Sequence, residues 1–85
     1  MKEFQYTVKD PVGIHARPAG LLAKKAKEFQ SEILLEKGEK SANATRLMAV
    51  MGLCIKCNDT VTVKITGTDE ERAKDEMERF FKEHL

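Results

Sequence analysis

Phe4, Tyr6 and Val8 alternate with Glu3, Gln5, Thr7 and Lys9, a period of two that predicts a strand with one buried face. Asp10-Pro11-Val12-Gly13 then stops it. From Arg17 to Phe29 the period lengthens: Ala19, Leu22, Ala23, Ala26 and Phe29 fall at helical spacing, while Lys24, Lys25, Lys27 and Glu28 take the other faces. This predicts an amphipathic helix of about three turns. Ile33-Leu34-Leu35 reads as a second strand, Glu36-Lys37-Gly38-Glu39-Lys40 as a hairpin turn, and Ser41 to Ala44 as a weaker third strand.

Thr45 to Leu53 reads as a short helix, with Leu47, Met48, Val50, Met51 and Leu53 apolar almost all the way round. One buried stripe needs fewer, so some of them are expected at the surface. Thr60 to Thr66 alternates cleanly, Val61, Val63 and Ile65 inward and Thr60, Thr62, Lys64 and Thr66 outward. The last helix opens with Thr68-Asp69-Glu70-Glu71, which spells a capping box of Thr68 with Glu71, and its apolar stripe is Ala73, Met77, Phe80 and Phe81. The order strand, helix, strand, strand, helix, strand, helix predicts one α+β domain over residues 1–85, a sheet with helices on one face and water on the other.

Composition narrows what such a domain does. Lys plus Arg number 15 against 14 Asp plus Glu, for a net charge of +1, which argues against a non-specific nucleic-acid binder. The balance is uneven: residues 1–64 carry eleven basic and seven acidic side chains, and residues 65–85 carry four and seven. No apolar run nears the roughly 18 residues of a membrane span, so no membrane insertion is expected. The opening Met1-Lys2-Glu3-Phe4-Gln5 has no apolar signal stretch, which sets the expectation at the cytoplasm. Two cysteines, Cys54 and Cys57, are too few for a secreted disulfide framework and fit a reducing compartment.

The chemistry concentrates in Gly13-Ile14-His15-Ala16-Arg17-Pro18-Ala19, where the first strand gives way to the first helix. Pro18 suits a first helical turn, which puts His15 just before the helix, facing unpaired N–H groups and the positive end of its dipole. Backbone N–H groups of Ala16 and Arg17 then form an anion site, to which the Arg17 guanidinium adds a fork for phosphate oxygens. A nucleophilic imidazole in that setting suits reversible phosphorylation of His15.

These seven residues resemble the active-site signature of the HPr family, histidine-containing phosphocarriers of the bacterial sugar phosphotransferase system, and chain length and element order agree over all 85 residues. The resemblance implies an open-faced β-sandwich, a four-stranded antiparallel sheet with three helices on one face. It implies that phosphorylated enzyme I transfers its phosphoryl group to Nδ1 of His15, assisted by Arg17, and that His15 passes it to IIA domains of sugar permeases. It implies a shuttle in place of a stand-alone catalyst, with a shallow exposed site, no cofactor and no metal, acting as a monomer. Leu47, Met48 and Met51, with Gly20, Lys24 and Lys27, match the docking surface that family members present beside the site, and methionine suits a surface that meets several partners. Basic side chains there favour acidic partners. The alternative is a regulatory relative, of a signalling or nitrogen-type branch; relatives that only signal tend to lack the histidine.

Three positions depart from the family pattern. Arg46 stands where many relatives carry a regulatory serine, so serine-type regulation is expected to be absent, with Thr45 capping the short helix. Cys54 replaces a helix-ending glycine and Asn58 a turn glycine. Cysteine takes the left-handed conformation poorly, so the helix is expected to end at a different residue. Cys54-Ile55-Lys56-Cys57 also spells C-x-x-C, but His15 and His84 supply no second ligand pair at zinc spacing, which leaves the cysteines without an assigned role. His84 is expected only to complement the dipole of the last helix.

Overall fold

The computed structural model describes residues 1–85. Four strands, β1 (Lys2–Thr7), β2 (Glu32–Lys37), β3 (Lys40–Asn43) and β4 (Thr60–Thr66), form one antiparallel sheet in the order β1-β4-β2-β3. The helices are α1 (Ala16–Ala26), α2 (Leu47–Gly52) and α3 (Glu70–His84). Register follows from the alternation: Phe4 pairs with Val63, Tyr6 with Val61, Ile33 with Ile65 and Leu35 with Val63, so every apolar row faces the helices. A one-residue slip would turn all of them to water. The opposite face is polar, with Thr7 against Thr60 at 2.9 Å and Lys64 paired with Glu36 at 3.2 Å.

Phe81 anchors α3. It is fully buried and meets Phe4 and Tyr6 of β1 edge-to-face, with ring centroids 5.7 and 5.6 Å away. That contact brings the end of α3 to the loop after β1, where the Leu85 carbonyl accepts the N–H groups of Lys9 and Asp10 at 2.6 and 2.9 Å.

Helix ends depart from the sequence expectation in instructive ways. The first helix stops at Ala26, and its last turn tightens, Glu28 and Phe29 donating to carbonyls three residues back. Phe29 stays buried in the turn that follows. The capping box at Thr68 and Glu71 does not form: Asp69 occupies the cap position, and Glu70 reaches back to the Gly67 N–H at 3.1 Å. Asp69 is drawn away by a longer-range competitor, accepting the N–H groups of Gln30 and Ser31, each at 2.9 Å, and the Ser31 hydroxyl. Gly67 permits this approach, since a Cβ there would lie 2.5 Å from Ser31 Cα. Thr45 does not cap α2 either; its hydroxyl and N–H both donate to Asn43 Oδ1, and Arg46 takes the cap position with no side-chain bond.

The expected shift in the end of α2 does not occur. Cys54 takes φ +51°, and Asn58 takes φ +74°. The α2 terminus is kept by Leu53 and Cys54 N–H groups donating to Val50 and Met51, and by Lys37 Nζ donating to the Cys54 carbonyl at 2.8 Å. Those bonds hold a β-carbon-bearing residue where glycine is the relaxed choice.

Two expected outcomes follow from these helix ends. The Ser31 hydroxyl above all, with the Gln30 N–H, holds the Asp69 carboxyl at about 2, below its ordinary 3.8. The stability it supplies is therefore complete above about pH 4 and is lost as the pH falls toward 2. Asp69→Asn will be less stable than the parent at pH 7 and lose less between pH 4 and pH 2, as read by urea denaturation. Cys54→Gly relieves the left-handed strain and raises stability by about 1 kcal/mol in the same measurement.

Candidate functional site

The turn after β1 is built to present His15. Asp10 Oδ1 accepts the Val12 N–H at 2.8 Å, and the Asp10 carbonyl accepts the Gly13 N–H at 2.9 Å. Gly13 takes φ +77° and lies so close to the next segment that a Cβ would stand 2.4 Å from the Ile55 carbonyl oxygen. Ile14 donates to that same oxygen at 3.0 Å and buries its side chain. His15, next in line, is exposed and caps α1 in an extended conformation (φ −106°, ψ −171°), with its own carbonyl accepting the Ala19 N–H at 2.9 Å.

Helix geometry leaves the Ala16 and Arg17 N–H groups without intrahelical partners, and Pro18 has none to offer. Two donors and a helix dipole thus point past His15. The Arg17 side chain is exposed and free of ion pairs within the chain. His15 and Arg17 line an open cavity of about 270 Å³ together with Asp10, Pro18, Leu21 and His84. The expected constellation of His15, Ala16 and Arg17 is therefore brought together as read. Leu21 lies one helical turn after Arg17 on α1 and so joins the cavity by local geometry, whereas Asp10 and His84 join it without any local signal, from the loop after β1 and the end of α3.

The family model for the PTS HPr component phosphorylation site matches residues 2–83. This chain belongs to the HPr family. It is 44% identical over 85 residues to the phosphocarrier protein HPr of Mycoplasma pneumoniae, covering 99% of this chain and 97% of that one. It is 40% identical over 80 residues to the HPr-like protein Crh of Halalkalibacterium halodurans, covering 94% and 95%. The solved structure of a mycoplasma histidine-containing phosphocarrier protein superposes with a TM-score of 0.90 at 35% identity, covering 93% of this chain and 90% of that one. The four-stranded open-faced sandwich is thus the HPr fold.

Around the HPr site, α2 lies against α1. Met48 is 77% exposed and Leu47 38%, whereas Met51 is half-buried against the core that holds Val50 and Leu53. The excess apolar residues of α2 thus divide as expected. Gly20 is half-buried on α1; Lys24, Lys27 and Arg46 are exposed, and no intramolecular ion pair engages them. Lys25 differs: it bonds Glu76 of α3 at 2.8 Å, and that bond holds the lysine above and the glutamate below their ordinary ranges. The uneven charge along the sequence is therefore partly cancelled between α1 and α3, while Arg17, Lys24, Lys27 and Arg46 stay unpaired. Cys54 is exposed and Cys57 half-buried, both as free thiols.

Gly13→Ala tests the seating of this loop. The left-handed φ and the close Ile55 carbonyl act together, so the variant should lose about 1–3 kcal/mol in chemical denaturation and broaden or shift the His15 ring resonances in NMR.

Proposed function

We propose that this HPr-family chain is a cytoplasmic phosphocarrier, accepting a phosphoryl group on His15 from phosphorylated enzyme I and delivering it to IIA domains of sugar permeases. The observation that carries the reading is the exposed His15 at the cap of α1, beside two unpaired N–H groups and the Arg17 guanidinium. The lone pair of Nδ1 attacks phosphorus in line; a P–N bond forms as the bond to the donor breaks, and the electron pair leaves with the donor. The Ala16 and Arg17 N–H groups and the guanidinium take the phosphoryl oxygens. The same steps in reverse pass the group to the acceptor.

A site that serves as acceptor and then donor must admit two different proteins over one atom. Openness supports that traffic, and so does the apolar surface of Leu47 and Met48, bordered by Met51 and Gly20. Unpaired Lys24, Lys27 and Arg46 give acidic partners a favourable approach. The protein acts as a monomer, needing neither metal nor cofactor, and no helix is long and apolar enough to cross a membrane. The likeness to Crh favours a second reading, a regulatory HPr-like protein of a signalling or nitrogen-type branch that docks without carrying phosphate. His15 and its anion site weigh for the carrier.

Incubation with enzyme I and labelled phosphoenolpyruvate tests the choice. The native chain takes up acid-labile label, His15→Ala takes up none, and Arg17→Ala is labelled about ten- to a hundred-fold more slowly. An unlabelled native protein overturns the carrier reading and leaves the regulatory one.

A further inference from the structure

His84 stands in the cavity that His15 opens into, although 68 residues separate them along the chain. It is the one residue lining that cavity from α3; the others belong to the loop after β1 and to α1. Neither a hydrogen bond nor an ion pair engages its imidazole, and its ring lies against Phe80, centroids 4.6 Å apart and planes tilted by 39°. The stacking limits the orientations of an exposed side chain, which lowers the ordering cost of any bond it makes.

We propose that His84 is a further phosphoryl-binding residue: its imidazole donates an N–H to an oxygen of the phosphoryl group carried by His15. This rests on the phosphocarrier reading above. The electrostatics of the fold call for a donor on this wall. The start of α1 offers the positive end of a helix, but the end of α3 brings a negative end to the same cavity, and Asp10 adds a carboxylate. A phosphoryl dianion on His15 faces repulsion from that side unless a donor intervenes. An imidazole carries at least one N–H in either protonation state, and its second nitrogen stays free to face the water.

The neighbours of His84 leave it available. On its far side it borders a second cavity with Lys25, Glu76, Arg79 and Glu83, where Lys25 and Glu76 already bind each other. In the shared cavity, one oxygen of Asp10 is occupied by the Val12 N–H. Arg17 and His84 then bind the phosphoryl group from two different elements, and the phosphorylated state gains a contact between α1 and α3 that the free protein lacks.

Phosphoramidate, a small-molecule donor that phosphorylates histidine without a protein partner, supplies the first test. On phosphorylation of the full chain, the His84 ring nitrogens should shift in 15N NMR, and the phosphohistidine 31P resonance should differ between the native chain and His84→Ala. In the second test, the phosphorylated fraction is read at equilibrium with enzyme I, phosphoenolpyruvate and pyruvate. His84→Ala should lower the ratio of phosphorylated to free protein by about three- to ten-fold, the scale of one hydrogen bond, and His84→Gln, which keeps an N–H, should restore it. An unmoved His84 ring, an unchanged ratio, or a fall that His84→Gln fails to restore overturns the assignment. Failure of enzyme I to label the native chain defeats the carrier reading instead, and the phosphoramidate arm still decides the role of His84.

Discussion

The His15 end of the molecule depends on two backbone carbonyls. Ile55 accepts the Ile14 N–H, and Leu85 accepts those of Lys9 and Asp10, so the loop between β1 and α1 is tied to two distant segments by its main chain. A loop held this way leaves its side chains free. His15 and Arg17 can therefore be exposed without being loosely placed, and the first turn of α1 keeps its N–H groups aimed past the imidazole. Gly13 is required by the same arrangement, since any side chain at that point would meet the Ile55 carbonyl.

Charge is partitioned with similar economy. Lysines that lie between elements are used in the fold, Lys25 with Glu76, Lys37 with Asp59 and Lys64 with Glu36. Arg17, Lys24, Lys27 and Arg46 are left to solvent. Half-buried pairs of this kind, still in reach of solvent, contribute modest stability singly. Their larger effect is on the surface, where they remove charge from one part of the molecule and leave the exposed cations of α1 and the start of α2 unpaired.

Much of this was legible along the chain. The seven elements and their order, the inward rows of β1, β4 and α3 and the surplus of apolar side chains on α2 follow from periodicity, short apolar runs and turn residues, all local properties of the chain. The expected caps fared worse. Thr68 and Thr45 have the right chemistry at the right spacing, but Asp69 finds three donors in the turn after α1, and Thr45 finds Asn43 next door. Capping preference is worth about 1 kcal/mol, and a competing set of hydrogen bonds outweighs it. At Cys54 the tertiary bond from Lys37 to its carbonyl, with the local bond from its N–H to Met51, likewise outweighs an unfavourable φ.

For the site itself, the residues that lie within one helical turn of His15 were readable by themselves. Ala16 and Arg17 are where they are because a helix begins there, and the rules of helix beginnings are local. His84 was not readable, since its place beside His15 exists only once Phe81 has docked α3 on β1 and the Leu85 carbonyl has met Lys9 and Asp10. The sequence by itself determined that His15 stands at the start of a helix, with the unpaired N–H groups of that start beside it, and the layering of the fold. The tertiary structure alone decided which end of which helix lies beside His15, because contacts between distant segments depend on how whole faces pack, and no local pattern encodes that.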